Sequence, residues 1–254
     1  MFKLLGLLIG GFCFLFLVAA VIYLKATVIN EAKIDQQLTK LNQISIPQYD
    51  NFTIKNPYAK SGIYHKAQLH THSTNSDGQF SPEELISRYQ ELDYTFLAFT
   101  DHDKITGVDV STDDLIVISG EEMTYPRPFW PFGPHLGRLF VTESVTGNMQ
   151  ARINKTVQAG GVVVIHHPSC TNNLGTQQWL PQELAELDDF YLMEISNVYT
   201  STSDNNRYWH GLLKKFGPER PVWGLGGDDT HKESQIDKNF IRVKVNDEIG
   251  RAHV

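Results

Sequence analysis

Five times in this chain a short apolar run ends in a cluster of histidines and acids. Lys66 to Leu69 leads into His70-Thr71-His72, Tyr94 to Thr100 into Asp101-His102-Asp103, and Leu115 to Ser119 into Gly120-Glu121-Glu122. Val162-Val163-Val164-Ile165 leads into His166-His167, and Val222 to Leu225 into Gly227-Asp228-Asp229-Thr230-His231. Helical patterns lie between the runs. Ser81-Pro82-Glu83-Glu84 reads as a helix start with a Ser cap, Pro in the first turn and Glu three residues after the cap. Met149 to Ala159 and Asn205 to Phe216 read as further helices, and Phe190 to Ile195 and Phe240 to Val245 as further strands. Such alternation predicts a mostly parallel α/β fold, either barrel or doubly wound. Parallel sheets gather their C-terminal strand ends on one rim, so the five clusters should meet in space.

The chain of 254 residues has room for one such domain and a short appendage. Its formal net charge is -7 and it has no long basic run, which speaks against a nucleic-acid duplex as partner. Cys13 and Cys170 lie far apart and no CxxC exists, so neither a disulfide framework nor a thiolate zinc site is expected. No GxSxG, P-loop or GxGxxG occurs.

Residues i and i+2 of a strand point to the same side, so His70 and His72 can serve one ion. With Asp77, His102, Glu122, His135, His167, Asp229 and His231 they form a mixed imidazole–carboxylate set. A purely structural role would oblige many buried polar groups to satisfy one another at one rim. Divalent ions do so more simply, and this donor set suits Zn, Mn or Fe. At three places two neighbours compete: Glu121 with Glu122, His166 with His167, and Asp228 with Asp229.

In order along the chain, His70-Thr71-His72, Ser76-Asp77-Gly78, Thr100-Asp101-His102-Asp103, Gly120-Glu121-Glu122, Ile165-His166-His167-Pro168 and Asp229-Thr230-His231 resemble the motif set of the PHP (polymerase and histidinol phosphatase) superfamily. The resemblance covers roughly Lys66 to His231. It implies a distorted (β/α)7 barrel with two or three divalent metal ions at its rim. It implies a first ion held by His70, His72, Glu122 and Asp229, a second by Glu122 as bridge with His135 and His167, and a third by Asp77, His102 and His231. The family patterns Gly-x-Glu, His-Pro and Asp-x-His select Glu122, His167 and Asp229, which become the catalytic candidates; their neighbours can orient ligands. Clustered divalent ions lower the pKa of bound water and stabilise charge on attacking and leaving oxygens. The implied activity is phosphoester hydrolysis; the alternatives are hydrolysis of carbamate or carboxylic esters and a tethered module that only binds metal.

For a small anionic ester the candidate contacts are Arg127, Arg138, Arg207, Glu194 and Asn197, each also readable as an ordinary surface or structural group. The aromatic, proline-rich loop Tyr125 to Phe132 reads equally as packing over the rim and as a substrate wall.

Leu4 to Leu24 is apolar and uncharged between Lys3 and Lys25. About 21 helical residues cover about 30 Å, a bilayer core. The run exceeds a usual signal-peptide core and continues past Val18-Ala19-Ala20, which favours an uncleaved single-pass anchor in the lipid bilayer over a signal peptide. Lys3 and the free amine favour a cytoplasmic tail and an extracytoplasmic catalytic domain, whereas Lys25, Lys33 and Lys40 pull the other way. Residues 26–60 read as a stalk, with a short helical stretch around Ile34, Leu38 and Leu41 and breaks at Pro47, Asn51, Asn56 and Pro57. Residues 61–248 form the expected PHP-type domain. Ile249 to Val254 match the product of a common sequencing adapter, so the natural chain is expected to continue past about Asp247.

Overall fold

A computed structural model describes residues 2–27, 30–46, 62–107 and 114–245, with side chains of 2–10 and 25–27 outside the description. Pro47 through residue 60 of the expected stalk, and the suspected adapter residues 249–254, lie outside the described residues.

Strand β1 (Ile63–Gln68) pairs in parallel with β2 (Tyr94–Ala98), which pairs in parallel with β3 (Ile116–Ile118). Strand β9 (Ile241–Val245) closes the other edge of β1 antiparallel. A second sheet runs β4 (Gly120–Thr124), β5 (His135–Leu139), β6 (Val162–Ile165), β7 (Leu192–Asn197), β8 (Trp223–Gly227). Its first three strands are antiparallel and its last three parallel. The expected (β/α)7 barrel is therefore corrected: among the described residues the strands form two hydrogen-bonded sheets rather than one closed cylinder. Ala98, Ile118, Leu139, Val164 and Leu225 fill the space between the sheets. The sheets meet at the rim through the bridges Thr71–Thr230 and His102–Glu122.

Helix α3 (Pro82–Glu91) starts as its sequence directs: Ser81 Oγ accepts from the Glu84 amide, and the Glu84 carboxylate accepts from the Ser81 amide. Its buried Leu85 and Tyr89 cover the first sheet. Helices α4 (Met149–Gln158), α5 (Pro181–Glu186) and α6 (Thr202–Phe216) cover the second.

Helix α1 spans Phe2–Thr27 and α2 Glu31–Asn42. The side chains described in α1 cover residues 11–24, and among the described residues no helix is long and apolar enough to cross a membrane. Phe12, Phe14, Leu15 and Phe16 are exposed. Helix α2, expected within a stalk, lies against the domain. Ile34 and Leu38 enter the same core as Trp179 and Tyr208, Asn42 Nδ2 donates to the Arg207 carbonyl at 2.9 Å, and a Cβ on Gly211 of α6 would press on Leu41 at 2.9 Å.

Candidate metal centre

The ends of β1 and β8 are sewn together by backbone. The Asp229 amide donates to the His70 carbonyl at 3.0 Å and the His72 amide to the Thr230 carbonyl at 2.9 Å. Buried Gln68 Oε1 accepts from the amides of Leu69, His70 and Asp228. On the far side the Glu122 amide donates to the Asp101 carbonyl at 3.1 Å, which places β4 beside the end of β2. Asp101 in turn accepts from Ser73, Ser76 and Thr106, fixing the turn that carries Asp77.

Six imidazoles surround the Glu122 carboxylate. Oε1 lies 3.3 Å from His70 Nε2, 3.1 Å from His135 Nδ1, 2.8 Å from His166 Nδ1 and 3.0 Å from His167 Nε2. Oε2 lies 3.4 Å from His72 Nε2 and 3.1 Å from His102 Nδ1. Asp229 Oδ1 is 3.3 Å from His70 Nε2 and 3.2 Å from His72 Nε2, and those two nitrogens are 3.1 Å apart. Asp77 stands at the solvent side, 3.2 Å from His231 Nε2 and 3.7 Å from His72 Nδ1 and His102 Nε2. The nine residues expected as ligands thus share one locus, which borders a cavity of about 420 Å³.

Divalent cations fit this donor set. A carboxylate offers about four lone-pair positions and cannot accept six N–H bonds. Some imidazoles therefore aim lone pairs inward, where a cation satisfies them. At this centre His102 Nδ1, Glu122 Oε2, His135 Nδ1 and Asp229 Oδ1 are buried without a hydrogen-bond partner. Among the described residues, the groups close enough to share an ion are His70, His72, Glu122 and Asp229; His70, His166 and Glu194; His102, Glu122 and His135; and His72, Asp77, His102 and His231, so His102 rather than the expected His167 groups with Glu122 and His135. The outer nitrogens are fixed by hydrogen bonds that set the tautomer. His70 Nδ1 faces Glu194 Oε1 at 2.8 Å, and His231 Nδ1 faces the Asp229 carbonyl at 3.0 Å. His135 Nε2 lies 3.3 Å from Gln177 Nε2, and a lone pair on His135 Nδ1 for an ion requires that amide to present its oxygen instead.

The electrostatics follow from crowding. Burial opposes charge on His70, but Asp229, Glu194 and Glu122 outweigh it and raise its pKa well above the usual histidine value. For His72 burial is outweighed by the adjacent Asp229 and Glu122 carboxylates, giving about 9. Burial, reinforced by His72 and His135, pushes His102 down to about 4. Burial also works against ionised Glu122, yet His135, His70 and His102 hold it well below the carboxylate range. At the mouth, partial burial of Asp77 is overridden by His231 and His102, bringing it to about 2.

The expected substrate contacts are engaged elsewhere. Arg138 is fully buried, bonded to Glu121, to Thr156 Oγ1 at 2.6 Å and to the Glu143 carbonyl at 3.1 Å. Arg127 pairs with Glu183 at 2.8 Å, and Arg207 pairs with Asp35 of α2. None of the three lines the cavity. Glu194 bonds His70 and the His167 amide, and Asn197 Nδ2 bonds Glu194 and Asp229. Both brace ligands from behind. The competing neighbours also separate. Glu121 and Asp228 turn away, Asp228 to Tyr89 and to the amides of Asp237, Lys238 and Asn239. His166 stays, stacked on His70 at 3.7 Å and held over Gly137, where a Cβ would overlap its Nε2. The aromatic loop is pinned by Trp130 Nε1 donating to Asp103 at 2.7 Å. Cys170, Asn172, Asn173, Gln177 and Tyr199 line the cavity without any marking in the sequence.

The fold is similar to that of two solved structures. A two-domain protein from Bacteroides vulgatus, containing a predicted PHP-like metal-dependent phosphoesterase, superposes with a TM-score of 0.52 at 18% identity over 75% of this chain and 59% of that one. A protein from Bifidobacterium adolescentis, of inferred metal-dependent phosphoesterase function, gives 0.54 at 14% identity over 74% of this chain and 94% of that one. These likenesses establish the fold. Among curated proteins, the 5'-3' exoribonuclease of Haemophilus influenzae is 50% identical over 44 residues, 17% of this chain and 16% of that protein. No protein-family model matches the chain.

Proposed function

We propose that this protein is a metal-dependent hydrolase of the PHP type, acting on a small anionic phosphate ester. The observation that carries the reading is the Glu122 carboxylate ringed by six imidazoles with buried, unpartnered donor atoms. His70, His72, Glu122 and Asp229 would hold one ion, Glu122, His135 and His167 a second, and Asp77, His102 and His231 a third, with Mn, Zn or Fe the suited metals. Bound ions of this kind supply water activation and neutralise charge developing on the ester oxygens. Glu122 and Asp229 keep their carboxylates ionised, and Glu194 and Asn197 hold the ligands His70 and Asp229 in place. His167, with Nε2 against Glu122 Oε1, lines the cavity. A second reading, hydrolysis of carbamate or carboxylic esters, is favoured by the neutral cavity groups Asn172, Asn173 and Tyr199.

Purified protein supplied with Mn or Zn and offered phosphate monoesters, phosphate diesters, carboxylic esters and carbamates separates these readings. Phosphate release is expected. Turnover of carboxylic or carbamate esters alone contradicts the phosphoesterase assignment, and bound ions without turnover of any ester identify a binding module.

For its setting we propose a single-pass anchor, residues 4–24 in the bilayer, with the catalytic domain extracytoplasmic. The uncharged run and the exposed Phe12, Phe14, Leu15 and Phe16 support it. Extraction from membranes by carbonate, or protease protection of the domain in intact cells, contradicts it.

A further inference from the structure

Tyr199 follows β7 and lines the same cavity, partly exposed. Its position is fixed from behind, because its amide donates to Asn197 Oδ1 at 2.9 Å while Asn197 Nδ2 holds Asp229. Its neighbours fix the hydrogen-bond direction at its hydroxyl. Gln235 Oε1 accepts from the amides of His231 at 2.8 Å and Lys232 at 3.0 Å. These two donors fix the orientation of the amide. Gln235 Nε2 is therefore the donor to Tyr199 Oη, 2.6 Å away. His231 Nδ1 lies 3.4 Å from Oη but 3.0 Å from the Asp229 carbonyl. A carbonyl only accepts, so Nδ1 carries its hydrogen toward it and offers Tyr199 no lone pair. Gln235 presents a hydrogen and His231 offers no lone pair, so the hydroxyl's own hydrogen is left for the cavity.

We infer that Tyr199 is a substrate-binding residue whose O–H donates to a non-bridging oxygen of the phosphoryl group, beside His231 and Asp77. The inference rests on the phosphoesterase reading. No proton is transferred: the hydroxyl is a fixed neutral donor, oriented by the Gln235 amide.

The test is Tyr199→Phe in the full chain loaded with Mn, read by inorganic phosphate binding, by kcat/KM on a phosphate monoester and by metal content. A hydrogen bond to a charged oxygen predicts that phosphate affinity and kcat/KM fall about 10- to 100-fold, with metal content unchanged. Gln235→Glu makes the second arm. A carboxylate there accepts from the same two amides and also from the tyrosine, drawing its hydrogen out of the cavity. It should reproduce the loss, and Tyr199→Phe combined with Gln235→Glu should lose little more than either alone. Tyr199→Phe within twofold of the wild type on both readouts, while the wild type hydrolyses phosphate esters, overturns the inference and leaves the function standing. Additive losses overturn the Gln235 relay. A wild type that neither binds phosphate nor hydrolyses its esters overturns function and inference together.

Discussion

Replacing Arg138 with methionine removes a cation that the structure assigns to folding rather than to substrate. The guanidinium reaches Glu121, Thr156 and the Glu143 carbonyl, and both partners of the ion pair are 1% exposed. Methionine fills much of the stem volume but leaves the Glu121 carboxylate buried and short of its charge partner. Breaking one side of a buried pair costs about 3–5 kcal/mol. At about 2–4 °C per kcal/mol for a domain of this size, the melting temperature should drop by about 6–20 °C. Replacing Glu121 with leucine in the same chain removes the stranded charge, and the double variant should recover most of the loss. Thermal unfolding of the four proteins gives the coupling energy directly. KM measured well below the melting transition should be unchanged. A variant as stable as the wild type with a raised KM would mean that Arg138 serves substrate after all, and the reasoning from its contacts would be refuted.

Leu38→Ala should cost about 2–5 kcal/mol in denaturant unfolding, because Leu38 is buried in the domain core; a cost under about 0.5 kcal/mol would restore α2 to a free stalk. Metal uptake should release protons at pH 7. His72 is raised from 6.5 to about 9, so in the metal-free protein its stabilisation is complete below pH 6.5 and fades as pH climbs through 9. A cation must displace that proton, so apparent affinity rises across the same window; calorimetric heats that are identical in buffers of different ionisation enthalpy contradict this. Gly137→Ala should push His166 off Glu122, costing about 1–3 kcal/mol and weakening metal binding; a fully metallated, equally stable variant would show that the contact yields.

The parallel strands and the rim were legible because Val162 to Ile165 and Tyr94 to Ala98 are apolar runs with helices between them, and because strand ends converge whatever the loops do. The hairpin β4–β5 was not legible. Gly-Glu-Glu-Met-Thr and His-Leu-Gly-Arg-Leu carry little β-branched signal, yet they place Glu122 and His135 inside strands. Missing that hairpin also misread Arg138, since Glu121 and Arg138 oppose each other across its register. The stripe Ile34, Leu38, Leu41 announced a helix but not its docking surface, which depends on Gly211 about 170 residues onward. Tyr199 and Gln177 have no local pattern; only the path of the loops brings them to the cavity.

Elemental analysis of the purified chain after dialysis, beside Glu122→Gln, weighs the multi-ion centre directly. At least two divalent ions per wild-type chain are expected, with at least one lost from the variant while its far-ultraviolet circular dichroism is retained. Fewer than one ion in the wild type, or a full complement in the variant, would contradict a centre built around Glu122.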